Sequence, residues 1–317
     1  SIVRELNKHS PMPINVVFYY NNLVSIAFIH RRQNKNNTAK QVLGKVSIIK
    51  DIDTKNPKRS HTEILYDLCT LSLFENKNTV NFQEIADAWY KILDTQSLNN
   101  RFYKDLRNWY AYANQTINIY QTEQKSLIPI PEREKQQFIL RLITRLIFCW
   151  FLKEKQFIAD HFFDPDNLKK YLLDFDPNNT QQSQYYKAIL QNLFFATLNV
   201  ETTNREFRTN HTYQGKNSDH FDHSRYRSVD SFYQKENALE ELFKDVPFLN
   251  GGLFECLDYK DVNKKEHRID YFTDHPQKSK LLDVPNQLFF ADDIIVDLSK
   301  WYNDLKQNKQ KIDGLIT

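Results

Sequence analysis

Metal-dependent cleavage of a phosphodiester needs carboxylates that share a cation and a lysine that polarises the phosphate. The shortest sequence trace of that chemistry is an acid followed two residues later by Lys. The chain carries five such strings: Asp53-Thr-Lys55, Glu75-Asn-Lys77, Glu123-Gln-Lys125, Asp258-Tyr-Lys260 and Asp304-Leu-Lys306. With 26% of the residues charged, matches this short arise by chance. Only Asp53 follows a strand-like run, and the hairpin upstream of it has no acid to complete a metal pair.

A second group of letters suits a metal: Asp219 to His223 (DHFDH), with His211 nearby. His220 and His223 stand three apart, as on one helix face. Their surroundings read as a polar loop, and metal ligands need fixed geometry and a supporting shell, so a solvated loop is the favoured expectation. The five glycines make no GxGxxG or P-loop, and no GxSxG elbow occurs. Two of those glycines adjoin in Val246 to Asp258 (VPFLNGGLFECLD), where they predict a tight turn or a close backbone approach. Cys69, Cys149 and Cys256 are far apart and form no CxxC, which points to free thiols in a reducing cytoplasm. A secretory signal peptide is not expected. The most apolar window, Phe138 to Leu152, holds Arg141 and Arg145 and is too short to span a bilayer.

The elements that must position these residues divide near residue 59. Ile14–Tyr20 and Leu23–His30 are β-rich runs around Asn21-Asn22, a hairpin signal because Asn tolerates positive φ. A helix is expected over 2–9, a loop over RRQNKNNTAK, and a strand in VLGKVSIIKDI. From His61 onward helical spacing dominates. Asn81 to Glu84 reads as a capping box, and Glu132–Phe157, with Pro131 at its mouth, is the strongest helix. Further helices are expected at 99–119, 166–174, 180–199 and 235–244. Loops are expected at 121–131, 202–230 and 258–280, the last with room for a short strand. With 23 Phe and 17 Tyr, the core should be built from rings.

Net charge is only +3, yet Arg31 to Arg59 holds nine basic residues against two acids, a local balance of +7. No acid occurs between Glu5 and Asp51. Such a block suits a nucleic-acid surface, and a solvated basic loop suits it equally. Arg141 and Arg145, four apart on an apolar helix, fit internal ion pairs.

Six segments resemble, in order, a run found in large fused type IIG restriction enzymes. They are Arg31 to Leu65, Arg141 to Ile158 (RLITRLIFCWFLKEKQFI), Tyr185 to Asn199 (YYKAILQNLFFATLN), Val246 to Asp258, Val284 to Phe290 (VPNQLFF) and Ile312 to Thr317 (IDGLIT). Together they cover essentially the whole chain. The resemblance implies a polypeptide with an N-terminal nuclease, a helical connector, an N6-adenine DNA methyltransferase using S-adenosylmethionine, and a target-recognition domain. The matching positions fall between nuclease and methyltransferase. The family's FxGxG loop and NPPY motif do not occur here and are expected after residue 317, and the nuclease acids before residue 1 or near it.

The expected fold is therefore mainly α. Residues 1–59 would be the end of a nuclease-like α/β domain with its hairpin and basic block, and residues 60–317 an α-helical connector. No catalytic or metal residue is assigned within the chain. Arg31, Arg32, Lys35, Lys40, Lys45, Lys58 and Arg59 are the expected contacts to the backbone of double-stranded DNA. The other partners would be the parent's nuclease and methyltransferase domains, and no membrane. S-adenosylmethionine and Mg2+ would serve the parent, not this segment. Two other readings stay open: a non-catalytic helical scaffold in a phage-defence complex, and an autonomous nuclease.

Overall fold

Two β-branched, aromatic runs separated by Asn21-Asn22 do fold back on each other. In a computed structural model of the chain, β1 (Ile14–Tyr20) pairs antiparallel with β2 (Leu23–Asn34), Tyr20 facing Leu23 across the turn. Asn21 takes the left-handed φ of 54° that the tight turn demands. The described residues are Glu5, 14–34, 37–74, 79–93, 95–124, 126–208, 221–301 and 309–316. Apart from Glu5, the helix expected over 2–9 lies outside them.

The expectation of a mainly α fold is corrected. Helix accounts for 43% of residues and strand for 21%, with eight helices and four small sheets among the described residues, an α/β mixture. Part of the strand content lies in stretches read as loops, and part, as in 258–280, lies where a short strand is expected. The polar stretch after His30 is strand, because β2 runs on to Asn34 against β3 (Asn37–Asp53). The 121–131 stretch contains a hairpin of β4 (Asn118–Glu123) and β5 (Ser126–Pro129), turning at Gln124 with φ 47°. The 258–280 stretch contains the pair β6 (Tyr259–Lys260) and β7 (Glu266–His267). In each case cross-strand hydrogen bonds make the strand without an alternating apolar pattern.

The chain forms two compact units, Ser1–Lys104 and Asp105–Thr317. In the first, one face of the sheet carries Phe28, Ile49 and Ile52. These pack with Leu68, which closes helix α1 (Arg59–Asp67), and Leu93, which ends helix α3 (Phe82–Leu93). Between them lies the short α2 (Thr70–Leu73). The capping box forms as read: Glu84 N donates to Asn81 Oδ1 at 2.9 Å, and Asn81 N to Glu84 Oε2 at 3.2 Å. The change of chemistry at residue 59 thus falls inside this unit.

Helix α4 (Thr95–Thr116) leads into the second unit, where Trp109 Nε1 donates to Leu288 O at 2.7 Å. Helix α5 (Glu132–Glu154) buries Phe138, Ile139, Leu142, Leu146 and Cys149 on one face. Against them lie two π-helical runs, Tyr185–Leu190 and Asn192–Thr197, in which every residue except Lys187 is buried. A helix apolar on all sides belongs at the centre of a core. Its buried amides are satisfied: Gln191 donates to Asp270 O, and Asn192 donates to Ala188 O and Arg227 O and accepts from Arg227 N. Phe162, Phe194, Phe195, Phe243, Phe254, Phe272 and Phe289 are all fully buried, so the core is built from rings, as the composition suggested. No helix among the described residues is long and apolar enough to cross a membrane.

Candidate functional site

The start of the basic block sits on a two-stranded ribbon. Among the described residues, β1 reaches β2 as far as Ile29, and beyond it the described pairing is between β2 and β3: Arg31 faces Leu43, Arg32 faces Val42, Gln33 faces Gln41 and Asn34 faces Asn37. Register irregularities between Ile29 and Arg31 and between Gln33 and Asn34 add twist at both ends of this stretch. At roughly 3.3 Å per residue, Arg31 to Asn34 projects about 10 Å. Arg31 and Arg32 are consecutive residues of β2, and Lys40 follows on the returning strand.

The seven expected DNA contacts do not fall in one cluster. Arg31, Arg32 and Lys40 share the distal ribbon, while Lys35 lies outside the described residues. Lys45, exposed, stands nearer the base, where its charge, after burial, helps hold His30 below its ordinary pKa. Lys58 is exposed, and Arg59 is the first residue of α1. Both follow the other end of β3, where Thr54 N donates to Asn22 O.

The acid-x-Lys strings find other employment. Asp53 accepts N–H bonds from Lys55 and Asn56 at 2.8 and 3.2 Å, which lower its pKa and close a turn. The strings at Glu75 and Asp304, and Lys125, lie outside the described residues. Asp258 is fully buried, and its carboxylate collects four consecutive backbone N–H groups. Oδ1 accepts from Ile269, Asp270 and Tyr271 at 2.7, 2.8 and 3.1 Å, and Oδ2 from Phe272 at 2.9 Å. This binds the VPFLNGGLFECLD segment to residues 269–272.

Arg145 completes the join. Its Nε donates to Leu253 O at 2.9 Å, Nη1 to Asp270 Oδ1 at 2.8 Å and Nη2 to Glu255 O at 3.0 Å. Its guanidinium lies 4.8 Å from the Phe195 ring centre. Burial lowers its pKa, but the Asp270 hydrogen bond and charge outweigh that and raise it. The internal ion pair expected for this helix is therefore present. The tight turn expected at the adjoining glycines is present, a 3-10 turn over Gly252–Phe254 in which Phe254 N donates to Gly251 O at 2.9 Å; close approach is not, since a Cβ on Gly251 or Gly252 would meet nothing within 4 Å, and the positive φ, 45°, belongs to Asn250. Close approach occurs at Gly314, where a Cβ would lie 2.3 Å from Phe289 O.

Of the DHFDH letters, Asp219, His220 and the nearby His211 lie outside the described residues. His223 comes within 4.8 Å of Cys256 and Asp258. The trio fits a metal poorly. The lone pairs of Asp258 are engaged by N–H groups, burial pushes the Cys256 thiol far above its ordinary pKa, and Arg227 and Arg268 place positive charge beside His223.

Beside the Arg145 join opens a cleft of about 860 Å³, lined by Tyr120, Arg141, Tyr259, His267, Arg268 and Lys278 among others. Sequence reasoning missed it, since its walls come from α5, the β4–β5 hairpin and the β6–β7 pair. Compared with known protein families, curated proteins and solved structures, the chain matches none.

Proposed function

We propose that this chain is the connector of a bacterial type IIG restriction–modification enzyme. It holds the nuclease and the S-adenosylmethionine-dependent DNA methyltransferase of a cytoplasmic parent in register and touches the DNA backbone. The parent's S-adenosylmethionine and Mg2+ act in those domains. The observation that carries this reading is the ribbon, which takes Arg31, Arg32 and Lys40 beyond the described pairing of β1. A two-stranded ribbon is narrow enough for a DNA groove, and Arg and Lys on it meet phosphates without reading sequence.

Binding of the 317-residue chain to a labelled random duplex across a salt series tests it. Affinity should fall steeply with salt and show no sequence preference, and Arg31→Ala/Arg32→Ala should lower the log–log salt slope by about two. No binding at low salt, or an unchanged slope in the double variant, removes the ribbon from the DNA.

The scaffold reading has one observation of its own. Leu140, Ile147, Phe148 and Phe151 form an exposed apolar stripe on α5, opposite the face buried in the core. Absence of DNA binding would leave that stripe as the working surface in a phage-defence complex.

A further inference from the structure

The cleft of the second unit combines an aromatic pair with an excess of fixed cations. Tyr259 and His267 both line it and stack in parallel, 4.7 Å between ring centres and 9° between planes. Asp261 Oδ2 holds the imidazole at Nε2, 3.1 Å away. Two ion-pair clusters contribute to the same wall. Lys260, Arg268 and Lys278 converge on Glu266, Arg268 also reaches Asp258, and Arg141 and Arg145 share Asp270. Of the charged side chains that line the cleft, four are cations, Arg141, Lys265, Arg268 and Lys278, against three carboxylates, Glu123, Glu134 and Glu266, an excess of one positive charge.

Arg141 is the member best placed to use that surplus. Asp270 already engages Arg145 through both oxygens and accepts Leu257 N at 2.9 Å. Arg141 reaches Asp270 only at 3.8 Å, its Nη2 makes a long 3.4 Å bond to Ile269 O, and its Nε has no hydrogen-bond partner. Its side chain keeps 27% of its surface exposed and lines the cleft.

We propose that this cleft binds a nucleotide, with the base stacked on the Tyr259–His267 pair and the phosphate on Arg141 and its neighbouring cations. The volume lies within the range of small-molecule sites. Stacking on aromatic rings is indifferent to base identity, and guanidinium and ammonium groups are the usual partners of phosphate. The site lies wholly in the second unit, so it stands or falls apart from the ribbon.

Calorimetric titration of the full chain with adenosine 5′-monophosphate, adenosine and inorganic phosphate tests the assignment. The monophosphate should bind saturably and more tightly than either fragment. Tyr259→Ala, at an exposed position, should weaken it by about five- to a hundred-fold without changing the melting temperature, and Tyr259→Phe should restore it. Lys265 lines the cleft and is exposed, and Lys265→Ala should weaken the monophosphate and leave adenosine unchanged. No saturable binding up to about 1 mM overturns the proposal. So does inorganic phosphate that matches the monophosphate, or a Tyr259→Ala protein that binds as before.

Discussion

The two units handle positive charge in opposite ways. In the first, part of the basic block rides on a ribbon held by backbone pairing, and Lys45, Lys50, Lys55 and Lys58 are exposed. In the second, Arg145, 3% exposed, is surrounded by two carbonyls, the Asp270 carboxylate and two phenyl rings. The same residue type therefore serves two ends. An exposed cation costs little to keep and can be spent on a partner, whereas a buried one is committed to the fold and holds segments far apart in sequence, here 145, 253–255 and 270.

The sharpest way to break this comparison is to remove the buried charge. Arg145→Ala should destabilise the protein by about 3–5 kcal/mol, because Asp270 is left buried without its main counter-ion. The loss is read from thermal or denaturant unfolding of the second unit. Arg145→Leu/Asp270→Leu should cost less than the sum of its single variants, since no charge is then stranded. A melting temperature unmoved by Arg145→Ala would mean that the join is not buried.

A smaller effect is expected in the first unit, where polar groups act at the surface. Asn81→Ala removes the side-chain acceptor for Glu84 N and should cost roughly 1 kcal/mol, with Asn81→Asp close to neutral. Melting of the two variants side by side checks the cap. If Ala and Asp behave alike, the reciprocal bonds contribute nothing.

What sequence could and could not disclose follows the same divide. The Asn-Asn hairpin, the capping box and α5 were legible because local chemistry sets them: positive φ, an orphan N–H, a 3.6-residue apolar stripe. The distal ribbon was not. Arg31 to Asn34 has no apolar alternation, and only its pairing with residues 37–43 makes it strand. Gln124 concealed the β4–β5 hairpin by turning without Gly. Asp258 looked like one acid-x-Lys string among five, because its partners are backbone N–H groups eleven to fourteen residues on. The cleft left no local trace, since residues 120, 141, 259 and 267 meet only through tertiary packing. Conversely, the glycine pair invited a conformational reason that neither residue needs.

The smallest expected effect lies where the two kinds of charge meet, at the rim of the cleft. Burial alone would raise the pKa of Glu266, but the hydrogen bond and charge of Lys278, with the charge of Arg268, outweigh it and hold the carboxyl below its ordinary value. A carboxyl that is more acidic folded than unfolded adds stability above its unfolded pKa, near 4.3 in peptides, and loses that contribution as pH falls through the folded value. Wild type should therefore be more stable than Glu266→Gln at pH 7. The gap should narrow below about pH 4.3 and close at lower pH. Because the side chain keeps 27% of its surface exposed, the gap should be below about 1 kcal/mol and shrink with salt. Melting temperatures of the two proteins from pH 3 to 7 measure it. A gap that is flat in pH would show that Glu266 acts through packing, and that the cations around it do not depend on its charge.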